Sequence, residues 1–571
     1  MKINTPPILI AFLLACSGLC LHTLAVTPPP DGGYPDFNTA AGQNALLQLT
    51  SGTANTAVGW FSLANVTTGS FNTAVGAGTL VLNTGDRNTA TGVAALLLNT
   101  TGADNTANGT AVLVHNTTGG GNTAMGAFSL NSNTTGSDNT AIGTNALLNN
   151  TTGVDNTATG SGALLNNTSV ENTANGAFAL QNNTTGSDNT AVGSQALSIN
   201  TEGSSNTAVG ASALFANTTG NSNTALGEEA LSANIGDNNT ASGTAALLSN
   251  TTGTQNTASG AQALLGNTTG SHNTATGFQA LFSNVGASDN TAYGYQALSN
   301  NGLGNSNTAA GVQALRDNTT GSNNTATGYN ALNGNTDGTN NTANGTFALF
   351  NNTTGDLNTA IGSGALIGVT SGTANTALGG NAGTNVTTAT DVICIGASVA
   401  GQNVSNSCYI GSIFGQTASG GIAVVINSDG KVGTAVSAQR FKEEIKPMEE
   451  TSEVLYTLKP VTFRYKKEID PGQRSQFGLV AEDVEKVNPD LVVYDKHGEL
   501  LSVRYEQINA MLLNEFLKEH RAFMEEQNKV QELEAALAVV NARLKEQEAR
   551  IEKVSSQLAL DKRTPRMVNN P

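Results

Sequence analysis

From Asn38 to Asn375 the chain repeats one pattern of polar and apolar positions, approximately Asn-Thr-Ala-x-Gly-x-x-Ala-Leu-x-x-Asn-Thr-Thr-Gly-x-x. Asn-Thr-Ala occurs 21 times, beginning at Asn38, Asn55 and Asn72 and ending at Asn375, at a spacing of 17 with an occasional 16. Degenerate copies follow at Val392 to Gly396 and Ser407 to Gly411. A fixed period of this length marks stacked rungs, each touching its neighbours. Asn, Thr and Gly recur too densely for a helix, and Asn-Thr-Thr-Gly is turn chemistry. The pattern predicts a mainly β chain, a long parallel β-solenoid with two short strands and two turns per rung. One strand is expected over Asn-Thr-Ala-x-Gly and the other around Ala-Leu. At ~4.8 Å per rung, about 23 rungs make a rod on the order of 110 Å long.

Each rung offers one dependable large apolar residue, such as Leu147, Leu164, Leu197, Leu214, Leu264 or Leu298, plus alanines. Burying one leucine recovers roughly 1.5–3 kcal/mol. Ordering a residue's backbone costs roughly 1–2 kcal/mol. A single chain this thin is expected to need help. Winding three copies together would add an inter-chain core and protect strand edges, so a homotrimer is expected.

After Lys431 the pattern changes to that of a small α+β domain. Leu455 to Lys466 alternates as a strand, and Phe477 to Val484 leads into a short helix that stops at Asn488-Pro489. Leu491 to Tyr494 and Leu500 to Tyr505 read as a hairpin around Lys496-His497-Gly498. A long helix is expected from about Glu506 to Leu560. It carries a heptad seam of Phe516, Phe523, Val530, Leu537, Leu544, Ile551 and Leu558, with Leu512, Leu533, Val540 and Val554 at the second core position. Glu519, Glu526 and Gln547 interrupt that second series. Sustained 3.5-residue spacing argues for a coiled coil that holds copies parallel and in register.

Charge sharpens the division. The 571-residue chain has a net charge of −17, yet only four Lys or Arg (Lys2, Arg87, Arg316, Lys431) precede Ser437, against 18 acids. From Ser437 onward there are 21 bases and 24 acids. A rod so poor in cations cannot neutralise phosphates, which argues against nucleic-acid binding. The N-terminus reads as an export signal: Lys2, the apolar run Ile8 to Leu21, then Thr23-Leu24-Ala25 as a small-residue cleavage site. Leu13-Leu14-Ala15-Cys16 is a competing lipoprotein box that would anchor the chain through Cys16. The expected product is secreted or held at the cell surface. The expected partition is a signal over 1–25, a proline-rich linker over 26–37 and the rod over 38–430. The chaperone-like domain then covers 431–510, the coiled coil 511–560 and a disordered tail 561–571.

Little classical chemistry is visible on the rod. Its acids (Asp104, Asp138, Asp155, Asp188, Glu228, Glu229, Asp356) follow no calcium-binding repeat, and His115 and His272 are isolated. No carboxylate pair sits at a fixed site for glycoside hydrolysis. No cofactor or metal is expected. Cys394 and Cys408 differ in phase within their rungs, which argues against a disulfide and for two small buried residues. The aligned threonines from Thr56 to Thr376 could form a flat ladder suited to a glycan or to ice, or could be satisfied within the ladder. A cell-surface glycan or other extracellular ligand is therefore retained as a candidate partner.

The Asn-Thr-Ala-x-Gly-x-x-Ala rungs resemble the head repeats of trimeric autotransporter adhesins over roughly residues 38 to 411. The rung here is longer, and no membrane-anchoring barrel follows. Four ordered motifs after the rod resemble the peptidase S74 domain, the intramolecular chaperone of phage endosialidases and tail fibres. They are Ser437-Ala-Gln-Arg-Phe-Lys-Glu-Glu-Ile-Lys-Pro447, Lys459-Pro-Val-x-Phe-x-Tyr-Lys466, Phe477-Gly-Leu-Val-Ala-Glu-Asp-Val484 and Val503-x-Tyr505. The resemblance implies a domain that trimerises, guides folding of the fibre before it and releases itself by a single self-cleavage. It places a serine nucleophile at Ser437 and a lysine general base at Lys442. The cleavage site would lie among Val436, Ser437 and Ala438, on one side or the other of the serine. The family commonly has Asp after the serine, where this chain has Ala438. A lysine acts as base only when neutral. Burial with Arg440 and Lys446 nearby would favour that form, while Glu443 and Glu444 oppose it.

Overall fold

A computed structural model describes residues 34–427, 429–495 and 497–561. The export signal, Cys16, most of the proline-rich linker, Lys496 of the expected hairpin and residues 562–571 of the expected tail lie outside the described residues. Two compact units divide at Gln416 and Thr417.

The first unit is the solenoid. Strands β1 (Thr39–Ala41) to β21 (Thr376–Leu378), one for each Asn-Thr-Ala copy, are joined by β22 (Val392–Ile395) and β23 (Ser407–Ile410) in one 23-stranded sheet. Neighbouring strands pair in parallel and in strict register, as in Thr190 with Thr207 and Ala191 with Ala208. Only one strand forms per rung, which corrects the expected second strand around Ala-Leu. There the backbone turns instead: Leu197 has φ +51°, and its counterparts Leu214 and Leu264 have +51° and +53°. A left-handed conformation costs a residue with a Cβ roughly 1–2 kcal/mol. It is offset because the Leu197 N–H donates to the Ala213 carbonyl of the next rung at 2.9 Å and the side chain is wholly buried.

Small residues are required where rungs nearly touch. At Gly260, φ is +138° and an added Cβ would stand 2.6 Å from the Gly277 carbonyl oxygen, so neither strain nor space admits a side chain. The alanine of each strand points inward and, with Leu197 and its equivalents, forms one continuous core along the ladder.

Asparagine completes that core. In one column Asn206 donates its backbone N–H and its side-chain amide to Asn189 Oδ1, at 3.0 and 3.1 Å, and also to the Gly220 carbonyl at 2.9 Å. In a second column Asn200 Nδ2 donates to Asn183 Oδ1 at 2.7 Å and to Gly203 O at 2.9 Å. All four asparagines are fully buried. Rungs of 16 residues lose one residue at this corner, where Asn234 bonds Gly236 instead of a residue three along. Asn217 Oδ1, which would accept from Asn234, is left without a partner. The column also stops at Asn352, because Val369 follows and Asn352 Oδ1 is again unpaired.

The second unit begins with a hairpin of β24 (Val424–Ile426) and β25 (Val432–Thr434), which the repeat pattern had assigned in part to the rod. Strand β26 (Val461–Phe463) pairs antiparallel with β27 (Gln476–Gly478). Helix α1 (Ala481–Val487) and the hairpin β28 (Val492–Tyr494) and β29 (Leu500–Val503) follow, then helix α2 (Tyr505–Asp561). Leu455 to Thr457 belong to a 3-10 helix over Glu449–Thr457 instead of the expected long strand, which is confined to β26. The reason is packing: Leu455 and Leu458 lie against the core of Val484, Leu491, Val492, Val503, Ile508 and Met511. Cys394 is buried and Cys408 exposed, and both are free thiols, so the phase argument against a disulfide stands while Cys408 is not buried.

Because the amide column is continuous at Asn267 and terminal at Asn352, their removal has unequal effects. Asn267→Val orphans Asn250 Oδ1 and should cost about 1–3 kcal/mol. Asn352→Val only moves the unpaired oxygen to Asn335 and should cost under about 1 kcal/mol. Chemical denaturation of the two variants measures the difference.

Candidate functional site

Residues 437–442 form a compact exposed loop after β25. One 3-10 turn, Gln439–Phe441, is closed by the Phe441 N–H on the Ala438 carbonyl at 2.9 Å and the Lys442 N–H on the Gln439 carbonyl at 3.0 Å. The turn folds residue 442 back on residue 437, and Lys442 Nζ lies 2.9 Å from Ser437 Oγ. That separation lies within proton-transfer reach. Val436 and Ala438, flanking the serine, are both exposed. The two cations expected to act on Lys442 are engaged elsewhere. The Arg440 guanidinium lies 4.7 Å over the Phe441 ring, and Lys446 faces Glu444 at 3.7 Å.

Further along the chain, the other motifs pack on one another. Leu479 donates its N–H to Tyr505 Oη at 3.0 Å, and a Cβ at Gly478 would stand 2.8 Å from that oxygen. This close approach explains why glycine stands at 478 and joins two motifs that lie far apart in sequence. Arg504, which the sequence reading did not single out, donates Nε to the Val492 carbonyl at 3.1 Å and closes the hairpin onto the start of α2.

A second cluster ties the 3-10 helix to α2. Ser452 Oγ and Tyr456 Oη both donate to the carboxylate of Glu515, and Lys518 Nζ sits 2.9 Å from it. Asn514 Nδ2 donates to Ser452 Oγ at 2.6 Å. Ser452 and Glu515 are buried. The hydrogen bond from Ser452, with that from Lys518, holds the Glu515 carboxyl below its ordinary range. Nothing in the sequence marked Glu515, because the hydroxyls of Ser452 and Tyr456 that hold it lie about sixty residues away. Beyond this anchor α2 is bare: Phe516, Phe523, Val530, Leu537, Leu544, Ile551 and Leu558 are all exposed in the single chain.

Residues 437–493 match the family model of the peptidase S74 domain, the chaperone of endosialidase. The segment is an S74-type domain. The match opens at Ser437, the residue on which Lys442 folds back, and ends within β28. No curated protein and no solved structure matches the chain. The S74 domain and the β-solenoid together fit a fibre-like protein. Among the described residues, no helix is long and apolar enough to cross a membrane.

The Glu515 anchor should be acid-labile. A carboxyl whose folded pKa lies below its unfolded value stabilises the folded form above the unfolded pKa and loses that contribution as pH falls through the folded one. Amide protection in 449–457 of the S74 domain, measured relative to the intrinsic exchange rate at each pH, should therefore fall as pH drops below the ordinary glutamate range of about 4. In Glu515→Gln, which cannot titrate, that acid-dependent step should disappear.

Proposed function

We propose that this chain is an exported, homotrimeric fibre of adhesin-like character, whose S74-type domain drives trimer folding and then cuts its own chain beside Ser437. The observation that carries the reading is the 2.9 Å approach of Lys442 Nζ to Ser437 Oγ at the first residue of the family match. The bare apolar seam of α2 supports assembly, since a single copy leaves those side chains in water. S74 chaperones are associated with trimeric fibres.

The chemistry follows from the two groups. Neutral Lys442 takes the Ser437 hydroxyl proton while Oγ attacks the Val436 carbonyl carbon. The Val436–Ser437 amide bond breaks, its nitrogen leaves protonated, and an ester forms on Oγ. Water then hydrolyses the ester to the Val436 carboxylate and the free serine. The reaction is a single turnover in cis. Both groups are exposed in the single chain, so packing of copies around this loop is the proposed means of desolvating the lysine. Cleavage is thereby coupled to completed assembly.

A second reading keeps assembly without cleavage. It is favoured by Ala438, which stands where the family commonly has Asp. Mass spectrometry of the expressed protein separates the two. The first reading expects a C-terminal fragment beginning at Ser437, or at Ala438 if the cut falls after the serine. Full-length chain alone would leave only the second. Ser437→Ala should abolish the fragment, and Lys442→Met should slow its appearance by about 10²–10⁴-fold. Leu537→Lys with Leu544→Lys should break the seam, giving monomers by light scattering and little fragment. Full processing by those monomers would refute the coupling.

A further inference from the structure

Almost every recurrent residue of the rung has an internal reason for its identity. The two asparagines bond their counterparts above and below, the alanines and leucine fill the core, and the glycine allows a close approach. The Thr after the second asparagine donates its hydroxyl to the next rung, as Thr201 does to the Thr218 carbonyl at 3.0 Å. One position has no such reason. The strand threonine, Thr39, Thr56 and onward to Thr376, is present in all 21 copies and points away from the core. Among the described residues, none of these hydroxyls hydrogen-bonds within the chain.

Two residues further on, the strand presents a second outward column. Its members include Val75, Ile142, Val192, Val209, Leu226 and Leu378, which are 37% to 48% exposed. Across residues 39–378 these two columns contain no ionisable acid or base apart from the phenol of Tyr293. The rod's carboxylates lie elsewhere. Glu171 and Asp188, for example, stack on consecutive rungs in the position before Asn-Thr-Ala. An in-register, apolar-and-hydroxyl face on a strongly acidic rod is a surface on which identical rods can meet without opposing their charges.

We infer that this face is where copies of the rod pack on one another, about an axis parallel to the ladder, each rung against the same rung of its neighbours. The inference rests on the homotrimer proposed above and assigns its contact surface. The second column favours copies over a regular ligand. It changes irregularly from Val to Thr, Asn, Met, Ser or Tyr, which a periodic polymer or crystal face could not follow. Packing about a symmetry axis matches such a column automatically, because every residue meets itself. Asn108, Asn175 and Asn344 then become polar layers between apolar ones. A slip of one rung would set Asn108 against Met125 and leave its amide unpaired, so these layers fix register as a buried Asn does in a coiled coil.

Cross-linking of the full chain tests the assignment. Val209→Cys should give copies joined 209-to-209 by oxidation or by a short bis-maleimide, located by peptide mapping. Thr185→Cys, exposed on the Asn-Thr-Thr corner, should give none. If light scattering shows a trimer but Val209→Cys stays unlinked, or only Thr185→Cys links, the contact surface is assigned wrongly while the trimer stands. A monomer by light scattering overturns both. Retention of the unlinked protein on a polysaccharide resin, or shaping of ice crystals, would give the face to that ligand instead and likewise overturn the inference.

Discussion

Everything in the rod depends on amide groups satisfying one another along its axis. A rung with only one leucine and a few alanines inside cannot enclose polar atoms unless each finds a partner, since an unpaired buried amide costs more than a made hydrogen bond contributes. Two asparagine columns solve this by passing each donor to the rung before and each acceptor to the rung after. The solution works only if the same residue recurs at the same place, and that is why the sequence is monotonous. The three 16-residue rungs all shorten the same corner, where Asn83, Asn167 and Asn234 bond a carbonyl two residues on. The price appears where the chain of amides is strained. Asn167 reaches Asn150 only at 3.3 Å, and Asn234 no longer serves Asn217.

The second unit follows another logic. Its core is small, and contacts between distant segments hold it: Gly478 against Tyr505, Arg504 on Val492, and the 3-10 helix on Glu515. These fix the first turns of α2 and leave its remaining seam without intramolecular partners. An S74-type domain with a fixed helix start and an unsatisfied helix face is suited to assembling copies. The dyad loop sits at the N-terminal limit of the family match.

Ser437 and Lys442 were marked only by likeness to a family motif, but the rung period and its strand over Asn-Thr-Ala, the inward alanine and leucine, and the long helix were legible from residue order. They depend on local spacing, and local spacing is what a sequence displays. The second strand around Ala-Leu was misjudged because the leucine's left-handed backbone is paid for by an inter-rung bond that no propensity records. Leu455 to Thr457 alternate as a strand should, but burial of Leu455 and Leu458 turns them into a 3-10 helix.

Sequence by itself therefore determined the repeat and its parallel stacking, because each is set by interactions among near neighbours or by a fixed period. Only the tertiary structure decided that the asparagines are a buried scaffold, that Glu515 anchors the helix, and that one face of the rod is free of carboxylates and carries the unpartnered threonines. Those depend on which side chains point inward after the chain has wound upon itself, and direction is a property of the folded backbone.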